Sequence, residues 1–229
     1  MAYLEVPVWT PLFLLRRRLR QSVELAVAHV QNRASYATVL DVGCGTMPYK
    51  SLILNGIDNT SYEGADIIIN EAIRYQIDPD RQLIPDVPDG YADLVVTFET
   101  LEHVAQTHAF LAELGRVCKP GGYLILTVPF MFEYHPCPGD FYRFTKEGLH
   151  RLATQHGFTV ELVQPTASEL DSLLVVVQLS VSRRFGYVFT KPLFLVLNTL
   201  ALASGRLFRP DKEHVVFNMN YLLIARKAL

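Results

Sequence analysis

Cysteine is scarce, charge is sparse and nearly balanced, and no apolar run is long. The 229 residues hold three cysteines, Cys44, Cys118 and Cys137, with no Cys-x-x-Cys pair among them. That argues against a disulfide framework and a structural zinc site, so no metal is expected, and it favours a reducing, cytoplasmic setting. Lys and Arg number 21 against 23 Asp and Glu, a formal charge of −2, and no global basic field points to nucleic acid. Charged residues make up 19% of the chain while half of it is hydrophobic, which is greasy for an enzyme. Even so, the apolar runs Leu173–Val177 and Leu193–Leu197 fall short of the ~18–20 residues a membrane-spanning helix needs. Glu5 and several prolines precede the first apolar stretch without a small-residue cleavage site, so a secretory signal is not expected. Internal repeats and low-complexity tracts are missing too.

The most informative stretch runs from Val39 to Lys50. An apolar run rich in β-branched residues enters Gly43-Cys44-Gly45, and Pro48 follows where the first turn of a helix would begin. The pattern is strand, turn, helix. Gly43 and Gly45 allow a sharp turn and a close approach of the backbone to a ligand, while the free amides of the helix start face the same space. Asp41, just before the turn, can receive an ammonium group or orient the loop. A dinucleotide fingerprint would require a third glycine where Pro48 stands, so a nicotinamide-dependent oxidoreductase is the weaker rival.

Further motifs follow in order: Tyr62-Glu63-Gly64-Ala65-Asp66, Tyr91-Ala92-Asp93-Leu94-Val95-Val96, Leu101-Glu102-His103-Val104 and Lys119-Pro120-Gly121-Gly122-Tyr123-Leu124. With Asp41-Val42-Gly43-Cys44-Gly45-Thr46 they resemble the motif set of class I S-adenosylmethionine-dependent methyltransferases, over roughly Val39 to Val163. One departure is Met47-Pro48 where a glycine is common. The resemblance implies an α/β, Rossmann-like fold: a seven-stranded, mostly parallel sheet with helices on both faces and an antiparallel last strand beside the fifth. It implies S-adenosyl-L-methionine as cofactor, held by Asp41, Gly43, Cys44, Gly45, Asp66, Asp78 and Phe98. Asp66 would take the ribose hydroxyls, with Glu63 as fallback. Asp78 would take the adenine amine, with Asp80 and Asp86 as rivals. His103 is expected to fix a loop rather than to catalyse.

The chain divides into an N-terminal amphipathic helical segment (1–35), a cofactor-binding core (36–165), a hydrophobic helical insertion (166–212) and a final core strand (213–229). In the first, apolar residues recur at Leu12, Leu15, Leu19, Val23, Ala26 and Val30, the spacing of one helix. That helix either leans on the core or, with Trp9, Phe13 and Leu14 beside Arg16, Arg17, Arg18 and Arg20, anchors to anionic headgroups. In the core, Tyr49–Leu54 reads as a short helix capped by Gly56, Tyr62–Ile69 as the second strand, and Lys119–Gly122 as the stop before a strand from Tyr123 to Val128.

The loop from Pro129 to Thr145 mixes aromatics, prolines and ionisable groups directly after that strand, which marks the acceptor side. Its His-x-x-x-x-Asp-x-Tyr-Arg pattern resembles methyltransferases of polysaccharide and cell-envelope pathways. His135 is the candidate base, with Asp140 orienting it or acting itself. Tyr142 and Arg143 are candidates to hold the acceptor, although Arg143 and Asp140 can instead pair to pin the loop. The expected function is O-methylation of a sugar, a glycan or a lipid-linked small molecule, and the alternative is a catalytically inactive cofactor-binding or membrane-associated scaffold. For the insertion, a dimer interface, a lid over a greasy substrate and a helical pair on the inner face of a membrane compete, with lipid contact favoured.

Overall fold

The computed structural model describes residues 4–55, 59–68, 73–136, 138–204 and 217–229. Gly56, Ile69, Cys137 and residues 205–216, which include the end of the insertion and the start of the final segment, lie outside the described residues.

Seven strands form one sheet: β1 (Thr38–Val42), β2 (Ser61–Asp66), β3 (Tyr75–Gln76), β4 (Ala92–Phe98), β5 (Cys118–Pro129), β6 (Phe158–Pro165) and β7 (Asn220–Lys227). Their order is β3-β2-β1-β4-β5-β7-β6. The first five pair in parallel, and β7 runs antiparallel between β5 and β6. This is the expected architecture. The chain steps outward from β1 to β3 and then returns to β4 on the other side of β1, and this reversal opens a crevice at the carboxyl ends of β1 and β4.

Side chains alternate across the sheet. Leu40 and Val42 of β1 join Val95 and Leu124 in a core covered by α3 (Thr107–Val117) and α4 (Lys146–Gln155), through Phe110, Leu114 and Leu149. Val39, with Leu94, Val96 and Ile125, faces the other way onto α1 (Phe13–Gln31) and α2 (Lys50–Ile53). Burying each such side chain contributes about 1.5–3 kcal/mol.

α3 does end, at Val117, ahead of Lys119–Gly122, but β5 begins at Cys118 rather than at Tyr123. Ala92 pairs with Cys118 and Leu94 with Tyr123, so the intervening residues bulge out of a strand that starts at Cys118. Gly121 supplies the turn at φ +76°, and a Cβ on Gly122 would come within 2.8 Å of the Asp93 carbonyl. Glycine is required there by close approach as well as by φ.

The apolar stripe of α1 is spent on the protein itself. Leu14, Leu15, Leu19, Val23, Ala26, Val27 and Val30 are all buried, Arg18 pairs with Asp171 at 2.7 Å, and Arg20 bonds Glu24 at 2.9 Å. Most of the apolar stripe is thus used against the core, one of the two arrangements expected of it, while Trp9 ahead of the helix remains 41% exposed.

The insertion forms a hairpin of α5 (Glu169–Phe185) and α6 (Tyr187–Ser204), turning at Gly186 with φ +81°. Ser168 Oγ caps the first helix by accepting from the Asp171 amide at 3.1 Å. Among the described residues no helix is long and apolar enough to cross a membrane. The hairpin is held by a buried polar clamp. Gln178 Nε2 donates to Asn198 Oδ1 at 3.0 Å, and Asn198 Nδ2 donates to the carbonyls of Val8 and Thr10 at 2.6 and 3.1 Å. Asn198→Leu strips partners from all three, and an unsatisfied buried group costs about 1–3 kcal/mol. The variant should show a clear loss of stability in denaturant unfolding, and an unchanged midpoint would show that the clamp carries no weight.

Candidate active site

At the end of β1 the chain turns at Gly43 with φ +74°, and a Cβ there would collide with the Thr100 side chain. Gly45 follows at φ +50° with open space where its side chain would be. Met47, at the position where glycine is common, also has φ +54°. A left-handed residue with a side chain costs roughly 1–2 kcal/mol, so glycine's frequency at this position has a backbone cause. Met47 tolerates it while packing against the apolar cluster that contains Tyr49 and Phe98.

Asp41, Gly43, Cys44, Gly45 and Phe98 line one cavity of about 320 Å³, with Glu99 at its edge. Asp41 is 2% exposed and accepts a 2.6 Å bond from the Tyr62 hydroxyl. Burial, opposed by that bond and reinforced by Asp66, pushes its carboxyl up to about 7. Burial likewise pushes the Cys44 thiol up to about 12, so it is not a thiolate nucleophile. Asp66, at the carboxyl end of β2, is not itself in that lining but accepts from the amide of Gly45, which is, at 2.8 Å. Glu63 sits further inside β2 as a brace, taking the Tyr91 hydroxyl at 2.7 Å and Arg74 at 3.1 Å. Asp78 is not among the residues lining the cavity: its Oδ1 accepts from the amides of Asp80 and Arg81, closing a turn.

Beside this cavity lies a cluster that the sequence order hides. Glu102 is fully buried, and neither carboxylate oxygen has a hydrogen-bond donor among the described residues. The Nε2 atoms of His103 and His135 approach its Oε1 at 3.6 and 3.7 Å. The two rings meet edge to face with centroids 4.9 Å apart. Each imidazole directs Nδ1 to a backbone carbonyl, His103 to Gly139 and His135 to Glu133 at 2.8 Å. A carbonyl only accepts, so Nδ1 carries the proton in both rings and Nε2 is left facing Glu102. The interaction with Glu102 comes first among the causes that raise the His135 pKa, ahead of the lowering by desolvation. Asp140 takes the His135 amide at 3.0 Å and lies 3.3 Å from its Nδ1.

Glu99 connects cluster and cavity. It holds φ +50°, accepts from Asn220 Nδ2 at 2.6 Å, and is pushed up to about 8 by burial and then by Glu102. A carboxyl in a left-handed backbone conformation with a raised pKa, lining the cavity, is a feature that sequence reading did not single out.

Arg143 is committed within the loop. Its guanidinium grips Asp140 with both terminal nitrogens and reaches the carbonyls of Phe132, Glu133 and Tyr142. That pairing holds the Asp140 carboxyl far below the usual range. Tyr142 donates its hydroxyl to the Ala105 carbonyl at 3.1 Å. Both residues therefore help pin the loop, the alternative that the Arg143–Asp140 spacing left open, while Tyr142 stays 42% exposed. His103, by holding Gly139, fixes a loop as expected. The ligand-capable atoms of Glu102, His103 and His135 lie within 4.8 Å of one another, a spacing that a cation can bridge although no metal was expected from sequence.

A carboxyl whose pKa rises on folding binds its proton more tightly in the folded state, so it costs stability as pH rises from the unfolded value of ~3.9 towards 7. Asp41→Asn removes that cost. The variant should melt higher than wild type at pH 8, with the gain shrinking towards pH 4, and a lower melting point at pH 8 would contradict the assignment.

A methyltransferase-domain family model matches residues 14–163. Ubiquinone biosynthesis O-methyltransferases are similar over part of their length. That of Maricaulis maris is 32% identical over 98 residues, 38% of either chain, and that of Pseudomonas paraeruginosa 31% over 116 residues, 45% of this chain and 50% of its own. The chain thus matches half or less of these curated relatives. The 1,6-didemethyltoxoflavin-N1-methyltransferase of Burkholderia thailandensis, solved with S-adenosylhomocysteine, shares the fold at TM-score 0.57 and 15% identity, covering 93% of this chain and 79% of that one. With the strand order, the glycine turn and the family match in agreement, the chain belongs to the class I S-adenosylmethionine-dependent methyltransferases.

Proposed function

We propose that the chain moves a methyl group from S-adenosylmethionine to the oxygen of a small acceptor with an apolar portion, lipid-linked rather than a free sugar. The observation carrying this reading is the His135 imidazole, locked through Nδ1 and braced by buried Glu102, beside the cavity that Asp41 and Gly43 line. The residues fit the cofactor, since Asp41 offers a buried carboxylate to an ammonium and Gly43 and Gly45 leave the backbone bare. When bound, it supplies an electrophilic methyl on a sulfonium. Asp66, at the end of β2, would receive the ribose hydroxyls, and Asp78, whose Oδ1 closes a turn, would offer its other oxygen to the adenine amine.

A hydroxyl is a weak nucleophile near neutral pH, and removing its proton as the new bond forms is worth about 10²–10⁴ in rate. His135 Nε2 takes that proton. The resulting imidazolium is stabilised by Glu102, while Asp140 holds the ring and is itself kept ionised by Arg143. Burial and the nearby Glu102 raise the Glu99 pKa, which disfavours a second negative charge in the cluster. Apolar chemistry for the acceptor is supported by a second cavity of about 410 Å³, between Phe130 and Phe132 of the loop and Val176 and Leu179 of α5. The named O-methyltransferase relatives favour oxygen as the receiving atom.

His135→Gln should lower turnover at least ~100-fold while leaving S-adenosylhomocysteine affinity unchanged. In wild type, kcat should rise with pH through an apparent pKa above His's usual ~6.5, and Glu102→Gln should move that limb down. The assay is transfer of labelled methyl to quinols, polyprenyl-linked sugars and free sugars. Transfer to free sugars alone would remove the lipid-linked reading. A stoichiometric divalent metal found by elemental analysis would instead make Glu102, His103 and His135 ligands, and tight cofactor binding without any turnover would restore the scaffold.

A further inference from the structure

The α5–α6 hairpin is the one large part of the described structure whose outer surface is apolar. On α6 the buried positions Thr190, Phe194, Asn198 and Ala201 form a single stripe. Most of the rest of the helix faces outward, and apart from Lys191 and Thr199 its outward side chains are largely apolar: Val188 is 68% exposed, Phe189 84%, Val196 54% and Leu200 60%. A helix that is hydrophobic on nearly all sides needs a partner phase beyond its own core stripe. Phe185, 64% exposed, extends this surface around the Gly186 turn. Trp9, 41% exposed, belongs to the segment that Asn198 ties to α6.

Charge decides what covers this surface. From Leu173 to Ser204 the sequence contains Arg183, Arg184 and Lys191 and not one Asp or Glu. Arg183 pairs with Glu133 of the acceptor loop. Arg184 and Lys191 lie over the rings of Phe185 and Tyr187, and neither has a carboxylate partner among the described residues. Cations ringing an aromatic tip suit a layer of anionic headgroups above hydrocarbon, into which an apolar helix face sinks by about 5–10 Å. A second copy of this chain would bring the same cations to a self-complementary interface.

We propose that the α5–α6 hairpin docks this protein on an anionic bilayer surface, with Phe185, Val188 and Phe189 in the acyl boundary and Arg184 and Lys191 on the headgroups. The surface adjoins the acceptor side. Arg183 lines the apolar cavity between the loop and α5 while standing at the basic tip, so docking places that cavity's rim at the lipid. The docking reading does not depend on which acceptor is methylated, and its test uses no turnover.

The test is flotation of the full chain with phosphatidylcholine vesicles, with and without phosphatidylglycerol, read at low and high salt. Binding should be at least ~10-fold stronger to the anionic vesicles and should weaken with salt. Arg184→Glu and Lys191→Glu should each weaken it by about fivefold or more. Val188→Asp with Phe189→Asp, both at exposed positions, should abolish it while S-adenosylhomocysteine affinity and the melting point stay unchanged. Folded protein that floats with neither vesicle overturns the proposal. So does a stable dimer in light scattering that the Val188 and Phe189 changes dissolve, because a second copy would then cover the face.

Discussion

Glu102 lies fully buried at the carboxyl edge of the sheet with no hydrogen-bond donor of its own among the described residues, and the electrostatic cost of that position organises what surrounds it. A lone carboxylate taken out of water is strongly disfavoured unless a cation or a proton balances it. The imidazoles of His103 and His135 stand where that balance must come from. Each is fixed in one tautomer by a loop carbonyl, so the acceptor loop is folded onto Glu102 as much by charge as by packing. The backbone agrees: the Glu102 carbonyl accepts from the Phe141 amide at 2.8 Å. Arg143 and Asp140 then clamp the loop, giving the site a rigid wall rather than a free cationic finger.

At the cofactor end the same physics operates with opposite use. Asp41 is buried at the cost of a raised pKa, a cost that a cation placed beside it would relieve. The two ends are joined by β4. Phe98 lines the cavity, and Glu99, one residue on, is held in a left-handed conformation while its N–H donates to the Thr127 carbonyl and its carboxyl accepts from Asn220 Nδ2 on β7. The antiparallel last strand, inserted between β5 and β6, thus also holds a carboxyl between the glycine-turn cavity and the Glu102 cluster.

Much of this was legible in the residues. The strand–turn–helix at Val39–Lys50 carries its chemistry in consecutive positions, and local sequence order is enough to show it. The continuously buried β1 follows from its apolar run, and the stripe of α1 from its periodicity. What was not legible depends on distance in sequence. His135 meets Glu102 across more than thirty residues, and Arg143's commitment to Asp140 is a choice among partners that spacing leaves open. Lys119–Gly122 looked like a stop because Pro-Gly-Gly usually breaks elements, whereas tertiary pairing with β4 carried the strand through it as a bulge. The N-terminal helix shows the same limit: Arg-rich amphipathicity fits a membrane surface and a protein core equally well, and only packing against Val175 and Ala201 separates them.

The most direct test of the account is an NMR titration of the histidine side chains in wild type and in Glu102→Gln. If Glu102 sets the charge of the cluster, His135 titrates above ~6.5 with its proton on Nδ1 in the neutral form, and its pKa falls in the variant. An identical His135 titration in both proteins, or a ring that does not titrate because a metal holds Nε2, would contradict it.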